Sequence, residues 1–304
     1  MSKKKQLFVL SGPTGSGKTS LSIPLAQQLQ APILSADSRQ FYREIPIGTA
    51  APTPQELAAA PHYLVGHLSI HDDYNVYRYE HDALTILEEL FETHSQVLLV
   101  GGSGMYIDAL CNGIDDIPDT DPEIRRACVE KFEQEGLDAI RFELSRIDPV
   151  SYRQVDLKNP KRILRALEVS LSSGKPYSSF RTATKKARNF EIVRIVITLP
   201  RELLYERINQ RVDLMIAAGL EEEARNMHPY KHLNALKTVG YTEFFEYFEG
   251  NISRSEAIDL IKRNSRRYAK RQLSWFGRDN SATWFESPTS ETLMQYILQQ
   301  GKTN

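Results

Sequence analysis

Short apolar runs alternate with amphipathic stretches over the first hundred residues of the chain. QLFVLS (6–11), APILSAD (31–37) and QVLLVGG (96–102) have the length and composition of buried strands. Helical periodicity predicts one helix over Lys18–Leu29 and another over residues 80–93. Strands and helices that alternate at this spacing indicate a parallel sheet with crossover helices.

A helical pattern without a good strand candidate replaces this alternation from about residue 115 to residue 190. EIVRIVITL (191–199) then returns as a buried strand, and residues 201–228 and 253–276 again have helical period. The simplest account is an α/β domain interrupted by an all-helical insertion. The predicted limits are 1–115 and 191–304 for the α/β domain, and 116–190 for the insertion.

The composition excludes several classes of protein. The 304 residues are 41% hydrophobic and 25% charged, as in soluble globular proteins. No apolar run approaches the roughly 18 residues that a membrane-spanning helix needs, and the run Leu7–Leu10 is too short for a signal peptide. Cys111 and Cys128 are too few for a disulfide framework or a four-cysteine zinc site. We therefore expect a cytoplasmic protein with reduced thiols and no membrane association.

Charge is balanced in total but unevenly distributed. The net charge is -1, yet residues 151–190 hold ten basic and two acidic side chains, a local excess of +8. Residues 262–278 hold seven basic side chains and no acidic one. We call these the first and second basic islands. They are typical of a polyanion-binding face, although two solvated helix faces would have the same composition.

A glycine-rich turn between the first strand and the first helix fits the phosphate-binding pattern G-x-x-x-x-G-K-[ST]. Its glycines let backbone N–H groups turn inward, the helix N-terminus adds partial positive charge, and the lysine adds a full charge. The threonine hydroxyl is a Mg²⁺ ligand in such loops. The predicted diphosphate-binding residues are Gly12, Pro13, Thr14, Gly15, Ser16, Gly17, Lys18 and Thr19, with Thr19 also on the metal.

The strand that would carry the Mg²⁺-binding aspartate of an ATP hydrolase ends instead in Gly101, Gly102 and Ser103. Asp37, at the end of the second strand, is the available carboxylate. Because the carboxyl ends of parallel strands meet in one crevice, Asp37, Ser103 and the phosphate loop should converge. Asp37 could then be a general base, an outer ligand of Mg²⁺ or a helix cap.

Further motifs give the chain a specific resemblance. The string SADSRQFY (35–42) resembles the substrate motif of tRNA dimethylallyltransferases, also called tRNA isopentenyltransferases. The following strings match the same family in order, over nearly the whole chain: IGTA (47–50), VGGSGMYI (100–107), NPKRILRALEV (159–169), SGKP (173–176), RVDLMIAAGLEEE (211–223), VGYTE (239–243) and YAKRQLSWF (268–276).

This resemblance implies transfer of a dimethylallyl group from dimethylallyl diphosphate to the exocyclic amine of the adenosine immediately 3′ of the anticodon. The phosphate loop would hold the donor with Mg²⁺, and no nucleoside triphosphate would be consumed. The implied fold is a nucleotide-kinase-like α/β core with a parallel sheet and a helical insertion that grips the anticodon stem-loop of tRNA. We expect a monomer of the short bacterial form.

The resemblance also implies roles for individual residues. Asp37 matches the base that takes the proton from the amine, and Arg211 matches an arginine on the diphosphate. Ser103 stands where the family usually has threonine and is expected to take part in catalysis, whereas Ala51 replaces a frequent lysine. Arg207, four residues before Arg211, is either a helper or a surface ion-pair partner. The implied tRNA-binding residues are Asp37, Ser38, Arg39, Gln40, Ser103, Arg125, Lys161, Arg162, Ile163, Leu164 and Arg165.

Other signals carry less weight. The spacing of His62, His67, His71 and His81 fits no zinc signature. Aromatic residues between 241 and 248 are typical of a core, although they could stack on bases. Three other functions compete with tRNA prenylation: a small-molecule P-loop kinase, a prenyltransferase acting on free adenylate, and a non-catalytic RNA-binding protein. The kinase has no use for the first basic island, and the intact Lys18, Thr19 and Asp37 argue against the last.

Overall fold

The computed structural model describes residues 4–182 and 184–300, which form two compact units. Within these residues, unit 1 runs up to Asn112 and resumes at Ala187, and unit 2 is Gly113–Lys186. The change of pattern along the sequence predicted that the insertion, which corresponds to unit 2, would span residues 116–190.

Unit 1 contains a six-stranded sheet within the described residues, and every neighbouring pair of strands is parallel. Its order is β3-β2-β4-β1-β5-β6, so β1 lies in the middle, between β4 and β5. The mixed α/β fold class predicted from the sequence is therefore confirmed. The strands are β1 (Gln6–Ser11), β2 (Ile33–Ser35), β3 (His62–Tyr63), β4 (Gln96–Gly101), β5 (Glu191–Thr198) and β6 (Thr283–Glu286).

Helices connect and cover these strands. They are α1 (Lys18–Leu29), α2 (Pro46–Thr49), α3 (Pro54–Ala59), α4 (Val76–Thr93), α5 (Gly104–Asn112), α6 (Pro122–Glu135), α7 (Leu137–Ile147), α8 (Pro149–Gln154), α9 (Pro160–Ser173), α10 (Tyr177–Phe180), α11 (Arg201–Ala217), α12 (Leu220–Met227), α13 (Tyr241–Phe248), α14 (Arg254–Phe276) and α15 (Ser290–Gln300). Two short 3₁₀ turns, His228–Tyr230 and Asn234–Leu236, lie between α12 and α13.

The structure corrects several predicted boundaries. Helix α4 begins at Val76 rather than residue 80, because the Asn75 side chain accepts hydrogen bonds from two first-turn N–H groups. The single helix predicted over 201–228 is two helices, α11 and α12, because Gly219 has a left-handed backbone (φ 101°) between them. Strands β3 and β6 and helix α15 were not predicted; β3 is two residues long and β6 four, too short for a periodic signal.

Alternate side chains of β1 point to opposite faces of the sheet, as strand geometry requires. Leu7 and Val9 pack in one core with α4 and α5, whereas Phe8 and Leu10 pack in another with α1 and α15. Both faces of the sheet are therefore covered by helices, which leaves the carboxyl edge of the strands as the natural place for a ligand. No helix in the described part of the chain is long and apolar enough to cross a membrane.

Unit 2 consists of α6–α10 around its own apolar core, which includes Ile140, Leu144, Ile163 and Leu167. The buried carboxylate of Asp148 connects helices α8 and α10 of this unit. The Asp148 carboxylate accepts hydrogen bonds from the N–H and hydroxyl groups of both Ser151 and Ser178, at 2.6–2.9 Å. Burial alone would raise the pKa of Asp148, but these four hydrogen bonds outweigh it and hold the pKa below its usual value.

We expect Asp148→Asn to destabilise unit 2 by about 2–4 kcal/mol, because an amide cannot accept all four bonds. The depressed pKa makes the ionised carboxylate stabilising above the unfolded-chain value near 4, and this contribution disappears as pH falls through the folded pKa. Hydrogen exchange of residues 148–180 in the intact protein should therefore be faster in the variant at pH 7. It should become similar to the wild type in acid; equal protection at pH 7 would contradict the assignment.

Candidate active site

Four segments that follow strand ends meet at the carboxyl edge of the sheet in unit 1. The phosphate loop follows β1, Asp37 follows β2, Ser103 follows β4, and α11 with Arg211 follows β5. Three of them line a cavity of about 1050 Å³, whose lining includes Thr14, Lys18, Thr19, Asp37, Ser38, Arg39, Gln40 and Arg211; the predicted catalytic residue Ser103 is buried behind this lining. A cavity of this size has room for more than one small ligand.

The phosphate loop has the wrapped backbone that its sequence predicts. Gly15 and Gly17 both have left-handed backbones (φ 81° and 88°), and a Cβ on Gly15 would lie 2.8 Å from the Ile208 side chain. Lys18 Nζ donates hydrogen bonds to the Gly12 and Pro13 carbonyl oxygens at 3.0 and 2.8 Å. The ammonium is thus held over the loop, at the place where an anion bound by its amides would lie.

Two cations and one carboxylate interact inside the cavity. Burial lowers the pKa of Lys18 to about 7, and the nearby Arg211 lowers it further while Asp37 acts in the opposite direction. Burial likewise lowers the pKa of Arg211, and Asp37 again opposes the shift. Arg211 makes no hydrogen bond or ion pair with a described residue. An anion that entered beside both cations would relieve their mutual repulsion.

Arg207 lies one helical turn before Arg211 on α11. It forms no ion pair within the described residues, so the alternative of a surface ion pair is not supported. A Cβ on Gly17 would lie 3.6 Å from its guanidinium, which places Arg207 at the outer side of the phosphate loop.

Asp37 and Ser103 are joined through Ser38. The Asp37 carboxylate accepts a hydrogen bond from the Arg39 N–H at 3.0 Å, so it caps a turn rather than a helix. The Ser103 hydroxyl accepts from the Ser38 N–H at 2.9 Å and donates to the Ser38 hydroxyl at 3.1 Å. Ser103 itself is buried. This arrangement fixes the backbone on which Asp37 stands, and the predicted convergence of Asp37, Ser103 and the phosphate loop is present.

Tyr268 on α14 completes this side of the cavity, and only its place in the YAKRQLSWF string marked it in the sequence. Its hydroxyl lies close enough to the Ser103 hydroxyl for their interaction to lower the pKa of Tyr268. Burial, and then Asp37, raise the pKa of Tyr268 to about 12, against the effect of that interaction. The hydroxyl therefore stays protonated at neutral pH and places a polar, uncharged group beside Asp37.

Arg39 and Gln40 are engaged by the protein itself. Arg39 donates to the carbonyl oxygens of Asn234 and Ala235, and the Gln40 amide donates to those of Thr49 and Ala50. Both side chains line the cavity while they anchor neighbouring loops. Both side chains therefore help to shape the pocket, a structural role that the family resemblance did not imply.

The segment Pro46–Ala51 is held from the other side by Glu223. Its carboxylate accepts the Ile47 and Gly48 N–H groups at 2.9 and 2.8 Å and also bonds the Tyr241 hydroxyl. Tyr241 and Phe244 are fully buried, so these aromatic residues belong to the core, not to a base-stacking surface.

No group of three or more histidine, cysteine or acidic side chains within residues 4–182 and 184–300 could hold a metal ion.

The residues of unit 2 implied to bind tRNA divide into two groups. Lys161, Arg162 and Arg165 are exposed on α9. Ile163 is fully buried in the core of the unit, so its side chain is not part of the exposed surface; its implied place in the tRNA-binding stretch stays a prediction. Leu164 is half-buried against the same core, and Arg125 is exposed with a long 4.0 Å contact to Glu168.

The first basic island contains fewer free charges than its sequence implies. Arg188 is buried in an ion pair with Glu80 at 2.6 Å, and Lys186 pairs with Asp116 at 2.9 Å. The unpaired positive charge is therefore concentrated on α9 and on exposed residues such as Arg153 and Lys158.

Thr19 fits the predicted Mg²⁺ site. Its side chain lines the cavity, and its hydroxyl makes no hydrogen bond with a described residue. Mg²⁺ typically takes one or two protein ligands, with the remaining ones from water and substrate phosphates. The absence of an acidic cluster among the described residues is compatible with such a site, in which the phosphate oxygens of a ligand would supply the charge.

Known proteins resemble this chain over nearly its full length. A sequence model of the IPP transferase family matches residues 40–279. The chain is 52% identical over 291 residues to tRNA dimethylallyltransferase 1 of Phocaeicola vulgatus, covering 96% of this chain and 97% of the relative. It is 50% identical to the protein of the same name from Bacteroides thetaiotaomicron, over 98% of this chain and 97% of the relative.

Solved structures are similar as well. The crystal structure of a tRNA isopentenylpyrophosphate transferase from Bacillus halodurans has a TM-score of 0.72 and 33% identity, covering 98% of this chain and 97% of that one. A eukaryotic dimethylallyltransferase, described as acting on tRNA, has a TM-score of 0.80 and 25% identity, over 97% of this chain and 77% of that one.

We expect inorganic diphosphate with Mg²⁺ to raise the thermal unfolding midpoint, because it neutralises Lys18 and Arg211 together. At a ligand concentration of 100 Kd the stabilisation should be about 2.7 kcal/mol. Arg211→Met should lose most of this effect. Arg225→Met is the matched control, because Arg225 pairs with Glu221 outside the cavity lining. If diphosphate raised the unfolding midpoint of Arg211→Met as much as that of the wild type, Arg211 would not be part of the anion-binding site.

Proposed function

The chain belongs to the tRNA dimethylallyltransferase family, and we propose that it transfers the dimethylallyl group of dimethylallyl diphosphate to the exocyclic amine of the adenosine 3′-adjacent to the anticodon. One observation carries the assignment of the chemistry. A single cavity places the half-buried cations Lys18 and Arg211 next to the carboxylate Asp37. The cations suit a diphosphate leaving group, and the carboxylate suits an amine that must lose a proton.

The donor is assigned to the phosphate-loop side of the cavity. When the bond between the allylic carbon and the diphosphate oxygen breaks, its electron pair stays on the diphosphate. The phosphate-loop amides, Lys18 and Arg211 stabilise this growing charge, which is commonly the largest contribution to catalysis. Thr19 would hold Mg²⁺ with the diphosphate oxygens, and the metal would supply further neutralisation of the leaving group.

The acceptor is assigned to the side formed by Asp37, Ser103 and Tyr268. The adenine must leave the anticodon stack, which costs a few kcal/mol, and enter the cavity as a flipped base. As its nitrogen bonds to the allylic carbon, Asp37 accepts the proton that the nitrogen loses. The anchored backbone at Ser38 keeps the carboxylate in place for this transfer.

Unit 2 is assigned to the anticodon arm. Lys161, Arg162 and Arg165 form an exposed basic face on one helix, which is suited to phosphates. In unit 1, Arg267 and Arg271 of the second basic island line the cavity and could neutralise phosphates next to the flipped base. A small-molecule kinase would have no use for the exposed basic face of unit 2.

Asp37→Asn and Arg211→Ala should separate the two sides of the reaction. An asparagine oxygen can still accept the Arg39 N–H, so the turn survives while the base is lost. We expect single-turnover transfer to fall about 10²–10⁴-fold with both substrates still bound. Arg211→Ala should weaken donor binding and transfer together, because Arg211 meets the diphosphate before and during the reaction.

The measurement is single-turnover transfer at saturating tRNA and donor, followed by nucleoside mass spectrometry, with a separate binding titration for each substrate. Turnover of Asp37→Asn close to that of the wild type would assign the proton to another acceptor. A wild-type protein that transfers no prenyl group to unmodified tRNA would overturn the proposed function itself.

Arg162→Ala combined with Arg165→Ala should weaken tRNA binding and leave the donor affinity unchanged. Each lost phosphate contact should reduce the slope of log affinity against log salt by about 0.7–0.9. The control pair is Lys131→Ala with Arg141→Ala in the same unit, whose charges are already neutralised by Glu143 and Asp138. If both pairs change the salt dependence equally, α9 is not the contact surface.

A further inference from the structure

The side chain of Gln272 on α14 is buried among the loops that form the cavity floor. Its carbonyl oxygen accepts the Thr14 N–H at 2.9 Å, and its amide nitrogen donates to the Gly102 carbonyl at 2.8 Å. Only 6% of the residue is exposed. One planar amide thus connects two loops that lie 88 residues apart in the sequence.

These two loops serve opposite sides of the cavity. Thr14 belongs to the phosphate loop, and Gly102 immediately precedes Ser103, which fixes the backbone beside Asp37. A Cβ on Gly102 would lie 2.3 Å from the Gln272 amide nitrogen and 3.3 Å from the Gly12 carbonyl oxygen. Glycine at this position therefore allows the amide to reach both partners.

We propose that Gln272 is a positioning residue that sets the distance between the donor cradle and the acceptor base. The proposal rests on the function assigned above. Because the Thr14 N–H is bound to Gln272, that amide does not serve the diphosphate, and the cradle is formed by the remaining loop amides with Lys18. The bridge therefore acts on how the two substrates meet, not on how tightly either binds.

The geometry of the reaction gives this distance a large effect on rate. Transfer requires the amine nitrogen about 3–3.5 Å from the allylic carbon, and a misplacement of 1 Å can cost about 10²-fold. A bridge with fixed length holds the two loops in register, and only the small exposed part of Gln272 reaches the cavity. Loss of the bridge should reduce the transfer rate while both affinities persist.

Gln272→Met keeps the length of the side chain and removes both hydrogen bonds. We expect single-turnover transfer at saturating substrates to fall about 10–100-fold, with tRNA and donor affinities within threefold of the wild type. Trp275→Phe is the control, because it removes the 2.8 Å bond from the same helix to Asp108 without touching the phosphate loop. It should lower the unfolding temperature but keep the transfer rate within about threefold.

Gly102→Ala provides a second route to the same bridge. Its backbone is not left-handed, so alanine fits once the flexible end of Gln272 moves away and the Gly12 carbonyl oxygen yields by a few tenths of an ångström. The single variants Gly102→Ala and Gln272→Ala should each slow transfer, and the double variant should be no slower than Gln272→Ala. Such non-additivity shows that both substitutions remove one interaction.

The possible outcomes separate this inference from the proposed function. Normal transfer by Gln272→Met, additive losses in the double variant, or an equal rate loss in Trp275→Phe would each overturn the positioning role while prenyl transfer by the wild type stands. Affinity losses in Gln272→Met that account for the whole loss of rate would also overturn it. A wild-type protein without transfer would instead overturn the function on which the inference rests.

Discussion

The cations Lys18 and Arg211 lie in one cavity close to the carboxylate of Asp37, and the rest of the site follows from the repulsion between the two cations. Lys18 and Arg211 repel each other where little water screens them, which is one reason that the pKa of Lys18 falls to about 7. Asp37 compensates only one of the two charges. A ligand with several negative charges removes the repulsion, and the bond that breaks in the proposed reaction places additional negative charge at the same point. The arrangement thus favours the transition state more than the bound ground state.

The local sequence was sufficient to predict the residues on the phosphate side of the site. The phosphate loop is continuous in the chain, and Asp37 stands at the end of an apolar strand, where sheet topology brings it to the same edge. Residues whose partners are far away in sequence were not predictable in this manner. Gln272 meets Thr14, and Glu223 meets Ile47, only after the sheet, α12 and α14 are assembled. A glutamine in a basic helix gives no local sign of such a contact.

The strings that carried the family resemblance include structural as well as chemical positions. The threonine and alanine of IGTA offer carbonyl groups to Gln40, and its isoleucine and glycine offer N–H groups to Glu223. Within VGYTE, Glu243 accepts the Gly240 N–H and the Asn264 amide at 2.8 and 2.7 Å. These contacts hold the loops around the cavity in fixed positions. A matched string therefore identified the fold correctly, while the role of each side chain required its contacts.

Helix α9 illustrates how one amphipathic pattern both builds a core and presents the basic face for which we propose tRNA binding. Ile163, Ala166 and Leu167 face the core of unit 2, and the 3.6-residue period then directs Arg162 and Arg165 to solvent. The matched string around Ile163 is contiguous in sequence, but the helix divides it between a buried face and an exposed face. The same geometry makes the basic residues replaceable without loss of core packing. Substitution at Arg162 and Arg165 should thus change charge and leave the fold, so a loss of tRNA binding in that variant would be evidence for the proposed contact and not for unfolding.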